Sequence, residues 1–231
     1  MATAPDASLL TGVAIFGGLG PAALQEVAAS ARSRAVAGGS TFFAEGDPAD
    51  AFYVLQAGSV KITQLSPEGH TVVLRLLAPG DAFGGVAAFS GGTYPITAEA
   101  VTESTAFEWP GQAMAGLIER HPRLAMNALR FVQARLQELQ VQYRQLATDK
   151  VERRVARALL RLVQHAGKRV EGGVLVDLPL SREDIAQMTG TTLFTVSRIV
   201  SRWEAAGLLE AGRQRMVIRD PHGLLKIADD I

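Results

Sequence analysis

The chain has 231 residues, of which 48% are hydrophobic, with 23 basic and 23 acidic side chains and no cysteine. This length and apolar content are typical of a soluble chain with one large domain or two smaller ones. The absence of cysteine excludes disulfides, thiolate metal sites and cysteine-ligated iron–sulfur clusters. Residues 7–25 are uncharged but rich in glycine and follow no basic segment, so we expect no signal peptide, no membrane partner and a cytoplasmic location.

The balanced net charge hides a difference between the two ends of the chain. Residues 1–149 carry 9 basic and 13 acidic side chains, a net charge of −4, whereas residues 150–231 carry 14 and 10, a net charge of +4. This asymmetry suggests an anion-binding module behind a neutral or acidic one, although a division placed by eye can also produce it by chance.

The first part of the chain predicts a helix followed by many short strands. Pro21 and the apolar spacing after it predict a helix over residues 21–36. From Gly38 onward, short apolar runs alternate with turns rich in glycine and proline, which indicates an antiparallel roll, sandwich or barrel. The strand-like runs are 51–56, 59–65, 71–77 and 105–109. None of the glycine-rich turns has the strand-to-helix context of a nucleotide-binding loop.

A short helix over residues 112–119 precedes a long one over 123–148, which contains neither glycine nor proline. Beginning at Ala125, apolar residues of the long helix recur at alternating spacings of four and three. This heptad pattern favours a two-stranded coiled coil and hence a homodimer; a helix in the core of its own domain is the alternative. The predicted dimer seam consists of Leu129, Val132, Leu136, Leu139, Tyr143 and Leu146.

Asp149, with Glu152 three residues later, predicts a capping box that starts a new helix over about 150–165. A junction between two helices at this point predicts a domain boundary and a hinge. A short strand is predicted next, over residues 174–178.

Residues 181–207 have the pattern of a helix-turn-helix. Ser181 with Asp184 predicts the start of a first helix, Gly190 lies in a tight turn, and Thr192 is placed to begin a second helix that ends at Gly207. Two short strands around a basic tip follow in residues 208–220, which is the pattern of a wing. A helix hairpin in any helical domain is the alternative, but the spacing together with the wing favours double-stranded DNA as a partner.

The second helix is predicted to read bases in the major groove. Arg198 is the strongest candidate for a base contact, because arginine can donate two hydrogen bonds to guanine O6 and N7. The hydroxyl groups and arginines near helix N-termini and in the wing are expected to contact phosphates, and Arg202 is equally well explained as a solvated surface residue. The predicted DNA-binding residues are Arg182, Thr191, Thr192, Phe194, Ser197, Arg198, Arg202, Arg213 and Arg215.

Over residues 13–226 the chain resembles the Crp/Fnr family of bacterial transcription regulators. The resemblance rests on residues 45–62 (EGDPADAFYVLQAGSVKI), 78–85 (APGDAFGG), the long helix before Asp149 and, most specifically, 189–209 (TGTTLFTVSRIVSRWEAAGLL). It implies an α+β fold with an N-terminal antiparallel, jelly-roll-like β-roll, a long dimerisation helix and a C-terminal winged helix-turn-helix domain. The implied boundaries are 1–110, 111–148 and 149–231. It also implies a homodimer that binds a two-fold symmetric operator and contacts RNA polymerase.

The chain departs from the cyclic-nucleotide-binding members of this family. The glutamate that would bond the ribose is replaced by Gly85, and the position of the phosphate-binding Arg-Ser pair falls in Tyr94-Pro95-Ile96. The long-helix position that would face the purine is Leu139. A cyclic phosphate would lack a charged partner here, so we expect no useful binding of cyclic AMP. The implied effector pocket is Phe83, Gly84, Gly85, Val86, Ala87, Tyr94, Pro95, Ile96, Thr97 and Leu139.

Other effectors and functions are open from the sequence. We expect no cofactor: haem is possible in this family, but His70 and His121 resemble surface histidines more than ligands. An effector-independent regulator is equally compatible. A cupin-type enzyme would need closely spaced histidines, and the nearest pair here, His121 and His165, is 44 residues apart. A ligand-binding module without DNA binding is disfavoured by residues 181–219.

In the recognition helix, Phe194 stands where many members of the family have a glutamate. Because glutamate can accept a hydrogen bond from cytosine and phenylalanine cannot, this replacement predicts the loss of one G·C preference.

Overall fold

The computed structural model describes residues 7–85 and 91–229. The chain divides into two compact units. One holds the residues up to Gln64 together with Leu76–Leu139, and the other holds Leu65–Arg75 together with the residues from Gln140 onward. Of the helices in the described ranges, none combines the length and the apolar character that a bilayer span requires.

The first part of the chain forms short helices around two antiparallel sheets. The helices are α1 (Ala7–Leu10), α2 (Pro21–Ala29) and α3 (Gly111–Arg120), with a 3-10 turn at Ala14–Phe16. The strands are β1 (Arg32–Val36), β2 (Thr41–Phe43), β3 (Ala51–Ala57), β4 (Val60–Leu65), β5 (Thr71–Leu77), β6 (Ala82–Phe83), β7 (Thr97–Ala100) and β8 (Ser104–Pro110). One sheet has the order β1-β8-β3-β6 and the other β2-β7-β4-β5, which is the predicted β-roll.

Aromatic and aliphatic side chains hold the helices against the first sheet. Phe16, Phe52 and Trp109 lie in one buried cluster, in which Phe16 and Trp109 have ring centroids 5.3 Å apart. The Trp109 indole donates a hydrogen bond of 2.8 Å to the carbonyl oxygen of Val27, so the buried indole N–H is satisfied by the C-terminal part of α2. This bond fixes α2 on the end of β8.

The predicted helix over residues 21–36 is wrong in its second half. Helix α2 ends at Ala29, and residues 32–36 form strand β1, which pairs with β8 from Arg32 opposite Glu108 to Val36 opposite Ser104. The backbone partners of β1 lie about seventy positions away along the chain, so the local apolar spacing could not reveal them. Three further short strands of the roll, β2, β6 and β7, were not predicted for the same reason.

The second part of the chain begins within a helix of 26 residues, α4 (Arg123–Thr148). The later helices are α5 (Val151–Ala166), α6 (Arg182–Thr189), α7 (Leu193–Ala205) and α8 (Pro221–Asp229). Strands β9 (Gly167–Val170), β10 (Gly173–Val176), β11 (Leu209–Gly212) and β12 (Arg215–Ile218) form a sheet in the order β11-β12-β10-β9. The predicted wing is the β11–β12 hairpin, and β9 is a strand that the sequence did not indicate.

The capping box predicted at Asp149 is wrong. The residue before α5 is Lys150, in extended conformation and with no side-chain cap. The Asp149 carboxylate is instead bound by Arg157 at 2.8 Å and lies 3.6 Å from Arg153, with only 6% of its side chain exposed. An arginine competes successfully with a backbone amide because its bond to a carboxylate is charge-assisted.

Candidate nucleic-acid interface and effector region

Local hydrogen bonds define both helices of the helix-turn-helix. The Ser181 hydroxyl accepts a bond of 3.0 Å from the Asp184 amide, and the Asp184 carboxylate accepts one of 3.0 Å from the Ser181 amide, which confirms the predicted start of α6. Gly190 ends this helix with φ of +60°, a conformation that favours glycine. Thr192 accepts a bond of 3.2 Å from the Thr195 amide and begins α7 as predicted.

Helix α7 has one face in the core and one face free. Val196, Ile199, Val200 and Trp203 are buried. On the other face Phe194 is 75% exposed and Arg198, one turn later, is exposed as well. Within the part of the chain that the structure describes, Arg198 has neither a hydrogen bond nor an ion pair. Its five donors are available to an external acceptor.

The other predicted DNA-binding residues differ in whether they already have partners. Arg182 forms an ion pair of 3.2 Å with Glu204, and Arg215 one of 3.3 Å with Glu210. Arg202 is bound to the carboxylate of Glu152. Arg213, at the exposed tip of the wing, has no bonded partner among the described residues. The remaining members lie at or near the start of α7: Thr191, Thr192 and Ser197.

Two residues of α5 contact the helix-turn-helix, a role that the sequence did not indicate for either of them. The Arg154 guanidinium donates to the carbonyl oxygens of Thr189 and Gly190, and the Glu152 carboxylate accepts from the Trp203 indole at 3.0 Å. No spacing rule could have found them, because charged residues are ordinary on the polar side of an amphipathic helix.

The predicted seam of α4 is exposed along its length. Its six members are between 41% and 76% exposed: Leu129, Val132, Leu136, Leu139, Tyr143 and Leu146. A single chain therefore leaves unburied a stripe that alternates by three and four residues. Apolar stripes of this regularity and length are typical of a helix that pairs with another.

Aromatic rings fill the roll beside the predicted effector residues. The rings of Phe43 and Tyr94 stack with centroids 3.7 Å apart, and those of Tyr53 and Phe83 stack at 5.1 Å. Phe42 contacts the Phe83 ring edge-on at 5.2 Å. Phe83 and Tyr94, two of the predicted pocket residues, thus belong to one packed aromatic cluster.

The Tyr94 hydroxyl is committed to the backbone. It donates to the carbonyl oxygen of Ala51 at 2.7 Å and accepts from the amide of the same residue at 3.1 Å. Burial raises the pKa of the Tyr94 hydroxyl above its ordinary value, so the group stays neutral. A neutral phenol that is already bonded to the backbone offers no positive charge to a phosphate group.

The remaining predicted pocket residues do not all lie in the aromatic cluster. Gly84 has φ of +77°, and a Cβ there would lie 2.8 Å from the Tyr53 ring, so only glycine fits. A Cβ at Gly85 would meet none of the described atoms within 4 Å. Pro95 is exposed and Ile96, Thr97 and Leu139 are at least partly exposed, while Val86 and Ala87 lie outside the described residues.

A separate cleft of about 610 Å³ opens at the end of the first sheet. Its charged and polar lining comes from Arg32, Asp50, Glu108 and Gln112. None of its described lining residues belongs to the predicted effector set, and sequence reasoning did not find the cleft.

The histidines considered as haem ligands have other environments. His70 is exposed in a turn, and His121 Nε2 lies 2.7 Å from the Glu26 carboxylate. Across residues 7–85 and 91–229, no three histidine, aspartate or glutamate side chains are grouped as a metal site requires.

Comparison with known proteins agrees with this architecture. Residues 33–121 match the family model of a cyclic nucleotide-binding domain, and residues 153–227 match that of a Crp-like helix-turn-helix domain. A relative from Mycobacterium tuberculosis, described as a CRP-like cAMP-activated global transcriptional regulator, is 29% identical over 220 residues, which cover 95% of this chain and 98% of the relative. The nitrogen fixation regulation protein FixK of Rhizobium meliloti is 32% identical over 192 residues, which cover 83% of this chain and 84% of FixK.

A solved structure shows the same fold. FixK2 from Bradyrhizobium japonicum superimposes with a TM-score of 0.77 at 25% identity, covering 85% of this chain and 96% of that protein. The predicted fold class is therefore confirmed, and a cupin-type enzyme is excluded. The chain belongs to the Crp/Fnr family of bacterial transcription regulators, in which a cyclic-nucleotide-binding-like β-roll precedes a DNA-binding helix-turn-helix domain.

Proposed function

We propose that this regulator acts as a homodimer on a two-fold symmetric operator and that its effector is not cyclic AMP. The observation that carries the DNA-binding part is the outer face of α7, where Arg198 is exposed and has no partner within the described chain. An arginine without an internal partner can bind DNA at little cost in free energy, because no existing hydrogen bond or ion pair has to be broken first.

The homodimer is supported by the exposed seam of α4. The helix has 26 residues, a length of about 39 Å at 1.5 Å per residue. Pairing two such stripes would bury leucine side chains that are now more than half exposed, such as Leu129 at 64%. Each buried leucine contributes about 1.5–3 kcal/mol, which favours a second copy as the partner.

Base reading is divided between an arginine and an aromatic side chain. Arg198 is proposed to bind guanine through O6 and N7. Phe194, four residues earlier on the same face, has no hydrogen-bonding group and is suited to contact the methyl group of thymine. The operator half-site is therefore expected to contain a guanine next to a position that favours thymine over cytosine.

The effector part of the proposal rests on the packed aromatic cluster and the missing charged partners. Titration calorimetry with cyclic AMP tests it directly. Because Tyr94-Pro95-Ile96 supplies no guanidinium for the cyclic phosphate, we expect binding no tighter than high micromolar. A sub-micromolar dissociation constant would show that the position assigned to Tyr94-Pro95-Ile96 is misplaced.

A regulator that needs no effector is the second candidate, and the internal bonds of the Tyr94 hydroxyl favour it. This candidate predicts that the purified protein, free of copurifying small molecules by native mass spectrometry, binds its operator with full affinity. Contact with RNA polymerase is proposed for either candidate, on the basis of the family alone.

Enrichment of DNA sites from a random-sequence pool tests the DNA-binding proposal. We expect inverted repeats whose half-sites are separated by one helical turn, about 10–10.5 base pairs between centres. Enrichment of single, unpaired half-sites would contradict the symmetric dimer. Failure to enrich any sequence would contradict sequence-specific binding.

A further inference from the structure

One arginine joins the end of the long helix to the turn of the helix-turn-helix. Arg154 Nη1 donates to the carbonyl oxygen of Asp149 at 2.9 Å, and its Nε donates to that of Thr189 at 2.9 Å. Its Nη2 lies 3.4 Å from the carbonyl oxygen of Gly190. A single planar group thus bonds the junction between α4 and α5 and the last turn of α6.

Neighbouring contacts attach the same parts independently. Glu152 accepts from the indole of Trp203 in α7, as well as from Arg202. On the other side of the junction, a Cβ at Gly190 would lie only 3.0 Å from Leu146 of α4. The turn is therefore in close contact with residues before and after Asp149.

We propose that Arg154 is a positioning residue for operator binding, which fixes the orientation of the recognition helix relative to the end of the dimerisation helix. Among the described residues, its side chain bonds only to backbone carbonyl groups, and no contact with DNA is assigned to it. The inference rests on the proposed symmetric dimer, because this orientation sets the distance and rotation between the two recognition helices.

The directions of the three hydrogen bonds explain why position 154 is an arginine. Three carbonyl oxygens in different directions need a rigid fork of donors, which arginine has and lysine lacks. Arg154→Lys therefore keeps the positive charge and most of the side-chain stem but cannot make the three bonds together. Because the charge is unchanged, the attraction to phosphates and the salt dependence of binding should stay as in the parent protein.

The experiment uses the full-length protein and DNA duplexes that carry two inverted copies of the half-site found by enrichment. The half-sites are placed at the selected spacing, one base pair closer and one base pair farther, which turns one half-site by about 34° relative to the other. Competition binding gives the ratio of dissociation constants between spacings. This ratio is independent of the active fraction of each sample, so a partly unfolded variant does not distort it.

We expect Arg154→Lys to reduce the discrimination between spacings by about threefold or more, with base preference within each half-site unchanged. Arg157→Lys is the matched control. Arg157 lies one turn further along α5 and also bonds Asp149, through its carboxylate at 2.8 Å, but its other bond is to the Ala228 carbonyl oxygen in α8 and not to the turn.

The outcomes separate the inference from the proposal on which it rests. If Arg154→Lys discriminates between spacings as strongly as the parent protein, Arg154 is not a positioning residue. If Arg157→Lys reduces the discrimination between spacings equally, the effect comes from losing a bond to Asp149, which both arginines make. The inference that the bonds of Arg154 to the turn are responsible is then overturned. If the parent protein itself shows no spacing preference, the symmetric dimer fails, and with it the inference.

Discussion

At the scale of single residues, internal ion pairs distinguish basic side chains of the DNA-binding domain that sequence reasoning had grouped together. Arg182, Arg202 and Arg215 each bond a carboxylate of their own domain. Arg198 and Arg213 have no such partner among the described residues. The unpaired arginines are the ones in which a change should alter DNA binding with the least effect on the fold.

Replacement of Arg198 by alanine should therefore change sequence preference. Losing a bidentate pair with guanine costs about 1–3 kcal/mol per half-site, hence roughly 2–6 kcal/mol on a symmetric operator. Preference should flatten at one symmetric base pair. Competition binding over single-base operator variants measures both effects, and an unchanged base preference would show that Arg198 does not read that position.

Arg213→Ala is the comparison for this prediction. At the tip of the wing it is expected to contact phosphate, so its loss should weaken binding to all sequences alike and lower the salt slope by about one contact per subunit. Misfolding would weaken both variants without a selective change at one base pair.

At the scale of elements, a charged cluster ties α2 to the junction between α3 and α4. The Glu26 carboxylate accepts hydrogen bonds from His121 and from Arg120. These bonds hold the pKa of Glu26 below its ordinary value of 4.5, and the bond from His121 has the larger effect. A carboxyl whose pKa is lower in the folded state stabilises the fold above its unfolded pKa. This contribution is lost as the pH falls through the folded-state pKa.

Glu26→Gln should accordingly unfold at lower urea concentration than the parent protein at pH 7. The difference in midpoint should shrink as the pH falls below 4.5, because the parent carboxyl then becomes protonated. Glu119→Gln, which removes an exposed carboxylate that has no bonded partner in the described ranges, is the control. If the difference in urea midpoint between Glu26→Gln and the parent protein stays the same in acid, the loss of stability comes from packing and not from the charge of Glu26.

At the scale of the whole molecule, the exposed seam of α4 predicts the oligomeric state. Leu136 is 55% exposed in the single chain and lies in the middle of the stripe. In a paired helix, Leu136→Glu would place two like charges in a dry interface, at a cost of several kcal/mol for each buried ion. The variant should therefore be monomeric at micromolar concentration.

Light scattering on the folded variant measures this change. Gln137→Glu adds the same charge to the next, exposed position of α4 and should leave the dimer mass unaltered. A dimer mass that Leu136→Glu does not change would remove the seam as the interface.

The parts that the sequence by itself determined depend on interactions between residues three or four positions apart. The Ser181–Asp184 box, the turn at Gly190 and the Thr192 cap are of this kind, and so is the heptad stripe of α4, which needs only helical periodicity. Local patterns also predict a region of short strands, then a long helix, then a winged helix-turn-helix. That the strands form a β-roll was implied by the family resemblance.

Only the tertiary structure decided features whose partners are distant along the chain. Strand β1 exists because β8 supplies its hydrogen bonds, and Asp149 is not a cap because Arg157 binds its carboxylate. The role inferred for Arg154 likewise depends on Thr189, 35 positions away. Local propensity differs by less than about 1 kcal/mol per residue, so one satisfied long-range hydrogen bond or ion pair is enough to override it.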